Sequence, residues 1–162
     1  MTAMGTHPSR TLSVAIDRAP EDVYAFASRP ENLPRWAFFD AIERQGDAWV
    51  ARTPDGPVTI RFAERNTLGV IDHHVRVAPD LEVYVPLRVI ANGTGSEVML
   101  TVLRLPGTTD EAFTGDCGTV ERDLAKLKEL LESAVESIEL CAARAAAHQE
   151  SARAFFTTPA RR

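Results

Sequence analysis

The sequence predicts an α+β domain in which an antiparallel sheet carries its helices on one face. Between residues 36 and 105, short stretches of alternating apolar and polar residues are separated by turn sequences, which is typical of strands with one covered face. After residue 109, apolar residues recur every three or four positions, which is the period of a helix stripe. The predicted order is therefore one strand, two short helices, six meandering strands and a long C-terminal helix.

The composition is that of a single folded domain with no strongly charged surface. The chain has 162 residues, of which 44% are hydrophobic and 25% are charged, and its net charge is −5. This balance argues against nucleic acid as a partner, because phosphate binding requires a concentrated basic surface. No apolar run reaches the roughly eighteen residues of a transmembrane helix, so no membrane span is expected. Residues 1–10 lack the pattern of a secretory signal and are expected to form a flexible leader.

Cys117 and Cys141 are the only cysteines. On one continuous helix they would lie roughly 36 Å apart, at about 1.5 Å per residue, which is too far for a disulfide. They are therefore expected to be core thiols in a reducing compartment, and the expected location is cytoplasmic.

The first strand and the helix after it have clear boundaries. Residues 11–17 alternate apolar and polar side chains, as a half-buried strand does. Pro20 and the two acidic residues after it suit the first turn of a helix and the positive end of its dipole. Pro30 ends this helix, because the residue before a proline disfavours helical backbone. Residues 30–34 leave room for one short helical turn.

Six strands follow at regular intervals, separated by sequences rich in glycine, proline, asparagine and aspartate. Pro86 lies inside the fifth of them and indicates a sheet edge or a bulge, because proline has no N–H to donate to a ladder. The predicted strands span residues 36–44, 48–53, 58–64, 70–77, 81–91 and 97–105.

The long helix is predicted from Thr109, which is suited to the N-cap, to Leu131. The domain is expected to span residues 11–132. Residues 133–162 are expected to form a helical extension followed by a disordered tail. Two alternatives remain for the extension: it packs against a second copy of the chain as a homodimer contact, or it frays.

Several segments resemble the START-like superfamily, also called the Bet v 1-like or SRPBCC group, which contains the polyketide cyclases and dehydrases. They are SVAIDRAPEDVYAF at 13–26, RPENLPRW at 29–36, GSEVMLT at 95–101 and VERDLAKLKELLE at 120–132. The resemblance implies the helix-grip fold, in which a curved seven-stranded antiparallel sheet wraps around a long C-terminal helix. It also implies an apolar cavity for a lipid, a polyketide or another hydrophobic ligand, and it carries over no catalytic motif.

The inward positions of the predicted strands and long helix supply a mainly apolar set, as ligand pockets require, although simple core packing is the alternative for each residue. The residues expected to line the cavity are Trp36, Phe38, Asp40, Trp49, Ile60, Phe62, His73, Val85, Leu87, Leu100, Val102, Arg104, Phe113, Cys117, Val120 and Leu124.

His73 is the candidate catalytic residue. It shares strand parity with Ile71 and Val75, so it is expected to point inward, whereas His74 is expected to face solvent. An inward imidazole is a hydrogen-bond donor to a ligand, a general base near neutral pH, or a core histidine tied to a neighbour. Adjacent histidines on a strand face opposite ways, and no third ligand is spaced for them, so neither a metal nor another cofactor is expected.

Asp40 and Arg104 are the charged members of the set. By strand parity both would enter the cavity and bracket a polar group on a ligand, but a buried charge needs a partner. The alternative is that a bulge or a frayed strand end turns them outward.

Three hypotheses follow. The first is a non-enzymatic protein that binds a hydrophobic small molecule between the sheet and the C-terminal helix, and the lack of a catalytic set favours it. The second is a cyclase, dehydratase or hydrolase without metal that uses His73 as acid or base. The third is an extension at residues 133–149 that docks a partner or a second copy.

Overall fold

A computed structural model describes residues 5–133, 141–143 and 145–146 of the chain. Within residues 5–133 the chain forms eight strands, three α-helices and one 3₁₀ turn, an α+β arrangement. In order they are β1 (Ser9–Ile16), α1 (Pro20–Ala27), the 3₁₀ turn (Pro30–Asn32), α2 (Leu33–Trp36), β2 (Ala41–Gln45), β3 (Ala48–Thr53), β4 (Gly56–Phe62), β5 (His73–Ala78), β6 (Leu81–Val85), β7 (Leu87–Asn92), β8 (Gly95–Leu103) and α3 (Asp110–Glu132).

The strands form two antiparallel sheets, which corrects the expected single sheet of seven strands. One sheet has the order β1-β8-β7 and the other has the order β2-β3-β4-β5-β6. The strand predicted at residues 81–91 is divided at Pro86, because proline lacks the N–H that a continuous ladder needs. Its first half, β6, pairs with β5, and its second half, β7, pairs with β8. Only Pro86 therefore separates β6 in one sheet from β7 in the other along the chain.

The strand predicted from residue 70 begins only at His73. The residues before it run beside β7, where Ile71 N donates to Leu87 O (2.8 Å) and Val89 N donates to Gly69 O (2.9 Å). Gly69 has a φ of +71°, and a Cβ at this position would lie 2.0 Å from the carbonyl oxygen of Val89. Only glycine therefore permits this close approach to β7.

Trp36 was expected to begin a strand, and that prediction is wrong. Pro34 lies in the first turn of α2 and starts a further helical turn that ends at Trp36. Ala37 N donates to Leu33 O (2.8 Å), and the chain becomes extended only after this bond. The strand β2 then begins at Ala41, so strand parity does not apply to the residues between 36 and 40.

The predicted start of α3 is confirmed. Thr109 Oγ1 accepts a hydrogen bond from Ala112 N (3.1 Å), as an N-cap side chain does. The helix ends at Glu132, where the backbone of Ser133 is extended and its hydroxyl donates to Leu130 O (2.7 Å).

The expected leader and extension are described only in part. Residues 1–4 lie outside the described residues, and β1 begins at Ser9. Residues 141–143 and 145–146 are helical, but the rest of the segment from 134 onward lies outside the described residues, as does any homodimer contact that it makes. None of the described helices is both long enough and apolar enough to cross a membrane.

The long helix packs mainly against the three-stranded sheet. Its contacts are with β1 and β8 and with α2, and its side chains Leu124, Leu127 and Leu131 are at most 2% exposed. At its C-terminal end, Lys128 Nζ donates to Ala15 O (2.8 Å). The core lies between α3, the two short helices and the three-stranded sheet, and it extends to Ala51 and Ile60 on the five-stranded sheet.

Candidate functional site

The inner face of the five-stranded sheet carries two rows of side chains that follow the ladder register. The first row crosses β4, β5 and β6 and consists of Phe62, His73 and Val85. The second row crosses β3, β4, β5 and β6 and consists of Trp49, Ile60, Val75 and Val83. The sequence indicated most of these positions, because alternation along each strand identifies its inward residues.

The members of the two rows differ in burial. Ile60 and His73 are buried, at 0% and 7% exposure. Trp49, Phe62 and Val75 are only half-buried, although they pack against the buried core. An apolar face that is neither fully packed nor fully exposed offers area that an apolar molecule can cover.

The structure places the sixteen predicted site residues in three environments. The buried ones are Trp36, Ile60, His73, Leu87, Cys117 and Leu124. The half-buried ones are Trp49, Phe62, Val85, Leu100, Val102, Arg104, Phe113 and Val120. The exposed ones are Phe38 and Asp40.

His73 is buried on the inner face, as its strand parity predicts. Its Nδ1 lies 3.0 Å from the carbonyl oxygen of Ile71, and its ring centroid lies 5.1 Å from that of Phe62. Because a carbonyl oxygen only accepts, Nδ1 must carry the proton of this bond. The described residues give its Nε2 no hydrogen-bond partner.

Burial lowers the pKa of His73 from its usual 6.5, and the bond to Ile71 opposes this shift only in part. The imidazole is therefore neutral at pH 7, with a lone pair on Nε2. Of the expected roles, donation to a ligand does not fit, because the only proton of the neutral ring is held by the backbone. The ring can accept a hydrogen bond or a proton instead.

Asp72, the residue before His73, faces the opposite side and is surrounded by donors. Tyr84 Oη donates to Asp72 Oδ2 (2.5 Å), and Leu87 N donates to Oδ1 (3.0 Å). The guanidinium of Arg88 also donates to Oδ1. The partners lie on either side of Pro86, so this carboxylate connects the two sheets where the strand is divided.

The pKa of Asp72 reflects these bonds. Burial alone would raise it, but the hydrogen bonds from Arg88, Tyr84 and the Leu87 N–H outweigh burial and lower the pKa to about 2. Sequence reasoning missed this cluster. A sequence signal for the cluster did exist. Asp72 comes directly before the inward His73, and Tyr84 and Arg88 occupy outward positions of the strand predicted at residues 81–91.

Asp40 and Arg104 are not brought into one pair. Arg104 lies beyond the end of β8, where it donates to Asp110 Oδ1 (2.5 Å) and to Thr108 O (2.8 Å). Asp40 is exposed in the loop before β2. Both residues lie just outside a strand, so strand parity does not determine the direction of either side chain.

The loop before β2 meets the middle of α3. Phe38 is 51% exposed and stacks on Phe39, with the ring centroids 4.5 Å apart. Phe38 N donates to Asp123 Oδ2 (3.3 Å). Burial raises the pKa of Asp123 to about 6, although this hydrogen bond and two nearby cations oppose the rise.

Two further features lie near α3. Trp36 is 2% exposed, and its buried indole Nε1 has no hydrogen-bond partner within the described part of the chain. A groove of about 310 Å³ opens between β1 and α3 and is lined by Leu12, Ser13, Val14, Glu121, Leu124 and Ala125. Among the described residues, no three histidine, cysteine or acidic side chains are grouped so that they could hold a metal ion.

No family model and no curated protein matches this chain. Solved structures do match it. XoxI from Bacillus cereus has 19% identity and a TM-score of 0.63, with 75% of this chain and 93% of that one covered. The Aha1 dimer from Colwellia psychrerythraea has 18% identity and a TM-score of 0.62, with 77% of this chain and 96% of that one covered.

DynU16, a protein of the dynemicin biosynthetic locus, also matches, with 12% identity and a TM-score of 0.62. The alignment covers 77% of this chain and 47% of DynU16. At these identities the similarity shows the fold alone. The chain therefore shares with these proteins a curved antiparallel sheet and a long C-terminal helix.

Proposed function

We propose that this chain is a START-like, or SRPBCC, protein that binds a hydrophobic small molecule between the inner face of the five-stranded sheet and α3. The observation that carries the proposal is the half-burial of the aromatic and branched side chains in the two rows, Trp49 and Phe62 above all. A ligand that covers them removes apolar area from water at roughly 25 cal/mol per Å². The place of one structural neighbour in a biosynthetic locus supports a small organic molecule as the ligand class.

Binding of N-phenyl-1-naphthylamine, an uncharged fluorescent probe, tests the proposal. We expect a Kd on the order of micromolar, as is usual for an apolar molecule of this size. Val75→Asp places a charge in the second row and should weaken binding at least tenfold, by roughly 1.4 kcal/mol or more.

Val77→Asp is the matched control, because Val77 lies two residues further along β5 and is 45% exposed. Circular dichroism establishes that both variants are folded. Probe affinity that is the same in Val75→Asp as in the wild type, or no binding by the wild type, would reject the proposal.

A second candidate function is general base catalysis, and the free Nε2 lone pair of His73 on the inner face favours it. A suitable reaction is abstraction of a proton next to a ketone, as in a cyclase or a dehydratase. Deuterium exchange at the methyl group of 2-acetylnaphthalene, followed by NMR in heavy water, tests it. We expect faster exchange with the wild type than with His73→Ala, and equal rates would reject this activity.

A further inference from the structure

The orientation of the His73 ring is fixed by its own backbone. Nδ1 donates to the carbonyl of Ile71 at 3.0 Å, and this bond selects the tautomer in which Nε2 is unprotonated. Nε2 lies on the ring edge away from that carbonyl. Since the side chain extends from the inner face of β5, this edge belongs to the face at which the proposed function places the ligand.

The charged groups around His73 do not alter its tautomer or its neutral form. Asp72 is adjacent in sequence, but its carboxylate faces the other side and accepts from Tyr84, Leu87 N and Arg88. His74 is exposed and lies 3.5 Å from Glu82. Burial lowers the pKa of His73, so its ring remains neutral at pH 7.

The residues beside His73 on the inner face are apolar. Phe62 and Val85 are its neighbours in the same row, on either side of it. An apolar ligand that covers this face excludes water from Nε2, and an acceptor without a donor then loses the hydrogen bond that it would make to water. A ligand that supplies a donor restores this bond, whereas a ligand that supplies only another acceptor leaves two acceptors unpaired.

We infer that His73 determines ligand specificity: among apolar molecules of similar shape, it selects those that present a hydroxyl group to Nε2. The ligand class is then an apolar alcohol or phenol, rather than a hydrocarbon, an ether or a ketone. This inference rests on the proposed binding function and specifies the chemistry of its ligand.

The test compares 2-naphthol with 2-methoxynaphthalene, which has the same ring system without the donor. Each compound competes with N-phenyl-1-naphthylamine for the wild type, His73→Phe and His74→Phe. The affinity ratio of naphthol to ether should be about tenfold higher in the wild type than in His73→Phe, which corresponds to one hydrogen bond in a closed site. His74→Phe, at the exposed neighbouring position, should keep the ratio of the wild type.

A second measurement does not depend on the variants being folded. The ¹⁵N chemical shift of His73 Nε2 in the wild type should move when 2-naphthol binds and should stay unchanged when 2-methoxynaphthalene binds. Equal ratios in the wild type and His73→Phe, or equal shifts with both compounds, would overturn the role of His73 while binding itself stands. Failure of both compounds to displace the probe would reject the proposed function and this inference together.

Discussion

On the three-stranded sheet, the inward residues Ile16, Leu87 and Val98 are at most 2% exposed, whereas on the five-stranded sheet Trp49 and Phe62 remain half-buried. The difference follows from the position of α3, which packs on β1 and β8. Both sheets contribute to the core, and the five-stranded sheet supplies Ala51 and Ile60 to it. The half-buried aromatic side chains of the strands, however, lie on the five-stranded sheet. The comparison teaches that one helix can cover two sheets of a domain unequally, and the proposed binding face lies on the sheet that it covers less.

Removing the hydrogen bonds of Asp72, which form the junction between β6 and β7, should have the largest effect on the free energy of unfolding. Asp72→Ala leaves the Tyr84 hydroxyl, the Leu87 N–H and the Arg88 guanidinium without their acceptor. We expect a loss of roughly 3 kcal/mol in the free energy of unfolding, measured by urea denaturation. Asp80→Ala, in the exposed turn between β5 and β6, is the control and should change stability little. Equal losses in the two variants would show that the junction contributes nothing.

The stabilisation by Asp72 also depends on pH. Its pKa is about 2 in the folded chain and 3.8 ordinarily, so the unfolded state binds more protons between these values. The contribution should be complete above pH 3.8 and should be lost as the pH falls toward about 2. The advantage of the wild type over Asp72→Asn should therefore shrink across that interval.

A valine-to-alanine substitution on each sheet compares directly how much burial on the two inner faces contributes to stability. Val98→Ala in β8 removes two methyl groups from a site with no exposure, and we expect a loss of about 2 kcal/mol. Val75→Ala in β5 removes them from a half-buried site, and we expect less than about 1 kcal/mol. Thermal and urea unfolding measure both. Equal losses in the free energy of unfolding would mean that the inner face of the five-stranded sheet is as tightly packed as the core around Val98.

The smallest expected effect concerns Asp123, where α3 meets the loop that leads to the five-stranded sheet. Its pKa is raised to about 6, so the folded state binds more protons between 3.8 and 6 and loses stability as the pH rises through that interval. Asp123→Asn should therefore be more stable than the wild type well above pH 6, by roughly 1 kcal/mol after allowance for solvent screening. The gain should vanish near pH 3.8.

Glu129→Gln provides the control for Asp123→Asn, since Glu129 is exposed on the same helix. It should not change stability at either pH. A gain of similar size in both variants would assign the effect to the net charge of the chain rather than to the burial of Asp123.

Sequence patterns identified the features that depend on local interactions. The cap at Thr109, the helix that starts at Pro20 and the inward parity of His73 each follow from neighbouring residues, and the structure confirms them. A strand was predicted from Trp36 because residues 30–34 leave room for only one short helical turn, but Pro34 lies in the first turn of a second helix that ends at Trp36. At this position, the helix signal of the proline extended further along the chain than predicted.

The features that the sequence did not predict depend on distant partners. The bonds of Asp72 reach residues up to sixteen positions away, and nothing in a strand pattern says which outward residues will meet. The tautomer of His73 depends on the carbonyl of Ile71, which lies in the irregular backbone beside β7. Alternation predicts on which side of a sheet a residue lies, but it does not predict its hydrogen bonds.

Pro86 divides one strand between two ladders, so neither ladder sets the angle at which the sheets meet. That angle depends on a few side chains around Asp72 and on the tight approach of Gly69 to Val89. A change confined to these few positions would alter the angle between the sheets while both ladders stayed intact. Under the proposed function, substitutions at this junction would therefore change which ligand sizes fit, during evolution or by design.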